Sequence, residues 1–133
     1  MADTAPPFPS KIFLSGDAVD IAVYVDADGE SPAWEFVKGL PAAGRAKFTS
    51  LCEFLAAQGR IANPSSFKHE KNGIFGFKLP NQDRVACFQD GRTWVCTHGL
   101  RKNGKWRESD FARAERIRDD YRERKAEVLK RKR

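Results

Sequence analysis

Residues 84–100 read RVACFQDGRTWVCTHGL, and this stretch decides the fold. Two runs rich in apolar, β-branched and aromatic residues flank Asp90-Gly91, a pair typical of two-residue hairpin turns because it tolerates positive φ angles. A turn centred on that pair places Cys87 opposite Trp94. The stretch therefore predicts an antiparallel hairpin in which Cys87 and Cys96 are not opposite one another, which argues against a disulfide between the strands.

Alternation along the hairpin assigns its side chains to two faces, because successive residues of a strand point to opposite sides. The first face receives Val85, Cys87, Trp94, Cys96 and His98. The second face receives Arg84, Ala86, Phe88, Val95 and Thr97. Arg84 and His98 are therefore expected on opposite faces, and only a bulge, which shifts the alternation by one residue, would bring them together.

The residues before the hairpin predict strands and a pair of helices. DIAVYVD (20–26) is typical of a strand, and KIFL (11–14) predicts a short additional one. Ser31-Pro32 is a typical helix start, and this short helix ends near Gly39. A second helix begins at Pro41 and ends at Gly59, with apolar residues at helical spacing, namely Phe48, Leu51, Cys52 and Leu55. We expect the two helices to cover one face of the sheet.

A polar loop leads from these helices into GIFGFKL (73–79), which predicts the strand before the hairpin. After the hairpin, Ser109 is the expected N-cap of a last helix that starts near Asp110. The apolar stripe of that helix is Phe111, Ala114, Ile117 and Tyr121. Beyond Arg122 the charge is dense, and we expect the helix to fray.

This element order predicts a small α+β domain: a strand, two helices, three antiparallel strands and a C-terminal helix. Residues 1–18 are expected to form a flexible N-terminal arm, residues 19–122 the domain, and residues 123–133 a basic tail. With 133 residues, the chain is long enough for one domain with a hydrophobic core.

Charge is distributed unevenly along the chain, whose net charge is +6. Residues 1–66 carry 5 Lys/Arg and 8 Asp/Glu, whereas residues 67–133 carry 19 and 10. A basic half favours a polyanionic partner, with RNA or DNA as the first candidate. The cysteines Cys52, Cys87 and Cys96 lack metal-ligand spacing and are interpreted as reduced thiols, and neither a signal peptide nor a membrane span is predicted. These features predict a cytoplasmic protein.

Three stretches, in this order, resemble the RelE/ParE toxin superfamily, and most closely its HigB-like, phage-derived branch. YVDADGESPAWEFVKGL (24–40) resembles the opening strand, turn and helix of that branch. CTHGLRKNGKW (96–106) resembles its late strand, which ends in His and a Lys/Arg pair, and FARAERIRDDY (111–121) resembles its last helix. Gly76, Phe77 and Lys78 differ from the acidic, aliphatic and Arg residues that the family often has there.

The resemblance implies the toxin of a type II toxin–antitoxin system. Such a toxin binds a helix-turn-helix antitoxin and cleaves mRNA, usually on the ribosome, without a metal or other cofactor. Two alternatives remain on the same scaffold: a ParE-like gyrase inhibitor, or a module that binds nucleic acid or antitoxin without catalysis.

Metal-free RNA cleavage needs a proton carrier and cations that stabilise charge on the phosphate. His98 is the candidate proton carrier, since an imidazole titrates near neutral pH; the alternative is a structural histidine at a strand end. Arg84 is the first candidate for charge stabilisation, because a guanidinium binds phosphate in a bidentate manner, and Lys78 is the second.

Further residues are candidates for contacts with RNA. The predicted RNA-binding set is Lys68, Lys71, Arg101, Lys102 and Trp106. Lys68 and Lys71 are placed in the loop before the strand at 73–79. The indole of Trp106 could stack on a base or, with equal weight, pack the last helix onto the sheet.

Overall fold

A computed structural model describes residues 7–101 and 105–131 of the chain. It contains six strands and three α-helices. The strands are β1 (Ser10–Ser15), β2 (Asp20–Tyr24), β3 (Phe67–Lys71), β4 (Ile74–Lys78), β5 (Asp83–Asp90) and β6 (Thr93–Arg101). The helices are α1 (Pro32–Lys38), α2 (Ala42–Gln58) and α3 (Glu108–Arg131), and a short 3₁₀ turn (Pro80–Gln82) connects β4 to β5.

The strands form one mixed sheet in the order β1-β2-β6-β5-β4-β3. Only β2 and β6 are parallel to each other among these pairs, and they are the second and third strands counted from the β1 edge. The predicted α+β class is confirmed. The predicted arrangement is incomplete, because two strands precede the helices and four follow them.

Both additional strands lie at the edges of the sheet. KIFL does form a strand, β1, within the range that we expected to be a flexible arm. Lys68 and Lys71 do not lie in a loop, as the sequence suggested, but in β3, which pairs with β4. The polar composition of β3 concealed it, since charged residues are common in edge strands, where they discourage pairing with other chains.

The first two helices cover one face of the sheet, called here the α1/α2 face. The hydroxyl of Ser31 accepts a bond from the backbone N–H of Trp34 at 3.4 Å, and Gly59 ends α2 with φ 81°. The predicted apolar positions of α2, Phe48, Leu51, Cys52 and Leu55, are all buried in the core on this face. The helix pair and its role are therefore confirmed.

The last helix covers the opposite face, called here the α3 face. Its predicted stripe of Phe111, Ala114, Ile117 and Tyr121 is buried there. The helix begins at Glu108, so Ser109 lies inside it. The carboxylate of Asp110 accepts the backbone N–H of Arg107 at 2.7 Å, which is the role of the acidic residue in a capping box.

The last helix also continues to Arg131, through the segment that was expected to fray. Side chains in this part hold it to the rest of the fold. Arg124 donates to the carbonyl oxygens of Val25, at 2.7 Å, and Pro7, at 2.9 Å, and Lys125 pairs with Asp90 at 2.6 Å.

The hairpin turn lies one residue later than predicted, which moves each pairing partner near the turn by two residues. Asp90 pairs with Thr93 inside the strands, so the turn residues are Gly91 and Arg92, and Cys87 lies directly opposite Cys96. Gly91 has φ 57°, as the first central residue of a type II′ turn requires. The side chain of Asp90 bonds to Tyr121 and Lys125 of α3, which holds Asp90 in the strand. All three cysteines are nevertheless free and buried.

A bulge then changes the alternation in β6. Cys96 pairs with Cys87 and His98 pairs with Ala86, so Thr97 is the additional residue. Its hydroxyl donates to the carbonyl oxygen of Ala86 at 3.3 Å. Because of this one residue, His98 lies on the α3 face and not on the α1/α2 face where the sequence placed it.

Within the part of the chain that the structure describes, no helix is both long and apolar enough to cross a membrane.

Gly99 allows α1 to pack closely on β6. A Cβ atom at this position would lie 1.9 Å from the ring of Phe36. We expect Gly99→Ala to lower the free energy of unfolding by about 2 kcal/mol, because the core must shift to admit the methyl group. Urea denaturation measures this change.

Two variants control that experiment. In a Phe36→Ala background, Gly99→Ala should lower the free energy of unfolding by clearly less, because the obstructing ring is gone. Gly39→Ala should have little effect, since a Cβ there meets its nearest atoms only at 3.6 Å. An equal cost of Gly99→Ala with and without Phe36 would contradict this account of the packing.

Candidate nucleic-acid interface

The three predicted catalytic residues share the α3 face. Lys78 pairs with Arg84 across β4 and β5, and Arg84 pairs with Leu100 of β6. His98 lies in the next row of the sheet, where its pairing partner is Ala86. The bulge at Thr97 thus removes the expected separation of Arg84 and His98.

His98 is nevertheless a buried residue, with 2% of its surface exposed. Its Nδ1 lies 3.1 Å from the hydroxyl of Thr97, and its Nε2 has no hydrogen-bond partner. Burial first, and then the positive charge of Arg113, lower the pKa of His98 from 6.5 to about 4. The imidazole is therefore neutral at pH 7, and in this conformation it cannot contact RNA.

Lys78 and Arg84 are more accessible than His98. Both are half-buried, at the end of the sheet beyond the start of α3. One guanidinium nitrogen of Arg84 donates to the carbonyl oxygen of Asp83 at 3.0 Å. A guanidinium has five N–H donors, so the remaining ones stay available for a phosphate. These two residues therefore form the cationic centre of the candidate interface.

Trp106 packs the start of α3 onto the sheet. Its ring stacks on Phe111 with centroids 4.9 Å apart and an interplanar angle of 17°. It also lies directly over Gly76, where a Cβ atom would be 2.7 Å from the indole. This geometry favours the packing role for Trp106 over stacking on a base. From the sequence, Gly76 was noted only as a departure from the family pattern, although a glycine in an apolar strand is a signal of close approach by another group.

The predicted RNA-binding lysines of β3 differ in their surroundings. Lys68 is exposed and pairs with Gly76, which places it on the α3 face beside the indole of Trp106. Lys71 is bound to Glu108 at 2.9 Å, and its ammonium lies 5.3 Å from the centre of the Phe111 ring. Lys68 can therefore add to the cationic centre, whereas Lys71 already holds α3 to the sheet.

Arg101 does not belong to this surface. It pairs with Asp83 in the sheet register, its guanidinium lies 3.6 Å from the Asp83 carboxylate, and it lies 5.3 Å from the centre of the Phe36 ring. These contacts belong to the α1/α2 face. Lys102 lies outside the described residues.

Lys78 and Arg84 in one row of the sheet, with Lys68 in the adjacent row, form a cationic strip on the α3 face that we call the basic row. Such a strip can hold phosphate groups and stabilise additional negative charge on them. Among the described residues, no three His, Cys, Asp or Glu side chains are grouped so that they could hold a metal ion.

Compared with known proteins, the chain matches no family model and no curated protein sequence.

The stability of the protein should depend on pH through His98. The folded-state pKa of this histidine lies below the unfolded value, so its contribution is complete above pH 6.5 and is lost as the pH falls towards 4. At about 1.4 kcal/mol for each pKa unit, the loss is on the order of 3 kcal/mol. Urea denaturation of the wild type between pH 7.5 and 4 measures this loss of unfolding free energy together with the contributions of all other groups that titrate in that range.

His98→Leu isolates the contribution of the histidine. The difference in unfolding free energy between wild type and variant should decrease steadily as the pH falls through this range, whatever its value at pH 7.5. A difference that does not change with pH would contradict the burial of a neutral imidazole at this position.

Proposed function

We propose that this chain is the toxin of a type II toxin–antitoxin system and inhibits translation by cleaving mRNA without a metal. Ribosome-bound mRNA is its proposed substrate, and a helix-turn-helix protein is its proposed antitoxin. The observation that supports the proposal most is that Lys78 and Arg84 are direct neighbours on one face of the sheet, in the basic half of the chain.

In this proposal, the ribose 2′-oxygen loses its proton and attacks the adjacent phosphorus to form a 2′,3′-cyclic phosphate, while the 5′-oxygen leaves and takes a proton from water. Negative charge builds up on the phosphate oxygens as the bond to the 2′-oxygen forms. Arg84 holds two of these oxygens through its guanidinium, and Lys78 adds a second positive charge from the neighbouring strand. Lys68 extends the row of cations towards the next phosphate along the strand.

The proton carrier is the less supported part of the mechanism. A neutral His98 has the right protonation state to accept the 2′ proton, but its ring is covered. It can act only after a rearrangement that exposes this part of the α3 face. The charge stabilisation by Arg84 and Lys78 does not require such a rearrangement.

The burial of His98 favours a second candidate function, a module that binds nucleic acid or antitoxin without catalysis. A binding surface needs the basic row but no proton carrier. A ParE-like gyrase inhibitor belongs to this second class, because it too would act through a surface and not through RNA cleavage.

Induced expression of variants tests the proposal. Arg84→Ala and Lys78→Ala should each reduce cleavage of ribosome-bound mRNA by roughly 100-fold, as expected for the loss of a group that stabilises the transition state. Lys47→Ala is the matched control, since Lys47 is an exposed cation on α2, and it should cleave normally. Melting temperatures close to that of the wild type would exclude unfolding as the cause.

Other outcomes separate the candidates. RNA binding that weakens with salt and with Arg84→Ala, without cleavage by the wild type, would identify the binding module. Inhibition of DNA supercoiling would identify the gyrase inhibitor. A wild-type protein that neither arrests growth nor cuts mRNA contradicts the proposed toxin activity.

A further inference from the structure

The two edge strands of the sheet have different surfaces. An edge strand carries backbone N–H and C=O groups that no neighbouring strand satisfies, and charged side chains usually keep other chains away from it. In β3 the sequence FKHEK provides such charges. In β1 the sequence SKIFLS places three consecutive apolar residues at the edge, with one lysine beside them.

A cleft of about 480 Å³ lies beside β1, on the α1/α2 side of the sheet. Phe13 and Trp34 contribute apolar surface to it, and the end of β2 and the segment before α1 complete its wall. Trp34 is 40% exposed, so its indole remains open to a partner, whereas Ile12, which pairs with Ala22, points to the α3 face. A cleft of this size accommodates a large apolar side chain.

The wall of the cleft is held in place by the hydrophobic core. The ring of Phe13 lies 5.9 Å from that of Trp34 and 5.7 Å from that of Phe48, measured between centroids. Phe48 is buried in the centre of the α1/α2 core. The cleft is therefore preformed, which lowers the entropic cost of binding.

The rim of the cleft is acidic. Glu30 and Glu35 line it, and Asp28 lies in the adjoining turn. Lys11 also lines the cleft, and Lys38 binds Glu35 at 2.7 Å, so the carboxylates still outnumber the cations. This local excess agrees with the excess of Asp and Glu over Lys and Arg in residues 1–66, and it favours a cationic partner.

We propose that β1 and this cleft bind an extended segment of a partner protein that combines a large apolar residue with flanking Lys or Arg residues. The segment pairs with the free edge of β1 as a seventh strand. Its apolar side chain enters the cleft against Trp34, and its cations lie near Glu30 and Glu35. This docking site is separate from the basic row, because it lies at the opposite edge of the sheet and on the other face.

Synthetic peptides of alternating sequence serve as probes. Acetyl-TKTITKT-amide, and versions with Leu or Trp in place of Ile, carry the apolar anchor and two lysines on the same face when extended. Each has seven residues and spans about 23 Å when extended, which is enough to cover the six residues of β1. In ¹⁵N-labelled protein, they should shift the amide signals of β1 and the indole signal of Trp34, and should slow hydrogen exchange along the outer edge of β1.

Variants and control peptides locate the binding. Trp34→Ala should weaken binding by roughly tenfold or more, as expected when an anchoring aromatic side chain is removed. Glu30→Gln combined with Glu35→Gln should weaken the binding clearly, and acetyl-TETITET-amide, which carries glutamates in place of the lysines, should not bind. Phe54→Ala is the matched control, because Phe54 is 54% exposed on α2 and outside the cleft, and its affinity should equal that of the wild type.

Several results would overturn the proposal. These are the absence of binding by all three cationic peptides at millimolar concentration, equal binding by the acidic peptide, or signal shifts confined to the α3 face. Shifts of the β1 signals that depend on protein concentration without any peptide would instead identify a second copy of this chain as the occupant. None of these results depends on whether the protein cleaves RNA.

Discussion

One additional residue in β6, Thr97, decides which side chains meet beneath α3. Its hydroxyl donates to the carbonyl oxygen of Ala86. Because Thr97 is an additional residue, the order in which side chains alternate between the two faces is reversed after it. Before the bulge, Trp94 and Cys96 point to the α1/α2 core. After it, His98 and Leu100 point to α3, while Gly99 faces Phe36 closely enough for α1 to dock. Both helical layers depend on this shift.

Arg84, Lys78 and His98 therefore lie close together on the α3 face because of the backbone bulge at Thr97. It is also the reason that His98 is covered, since the same shift moves its ring under α3. The buried, neutral imidazole of His98 destabilises the core, because its Nε2 loses its hydration and has no hydrogen-bond partner in exchange. Arg84 and Lys78, in the adjacent row of the sheet, retain access to solvent, so the residues proposed to stabilise charge are more accessible than the proposed proton carrier.

Periodic patterns made the main elements predictable from the sequence. The apolar spacing of α2 and α3 identified both core stripes correctly, since helical periodicity depends only on local residues. The register of the hairpin and the bulge were not predictable in that way. Asp90 lies in the strand because of Tyr121 and Lys125, which are distant in sequence, and β3 lacks an apolar pattern because it lies at an edge. Alternation correctly placed Arg84 on the same face as Ala86 and Phe88, which is the α3 face, but no local signal indicated that Arg101 turns to the α1/α2 face.

The parallel pairing of β2 with β6 has a consequence for the order of folding. Strands β3 to β6 form a meander of antiparallel neighbours joined by short connections, so each can pair as soon as the next is available. By contrast, Ile21 finds its partner only in Trp94, far along the chain. Contacts between such distant residues form slowly. During synthesis, the N-terminal strands and the helices α1 and α2 have no complete sheet to pack against until β6 has left the ribosome, and their apolar surfaces stay exposed for most of translation.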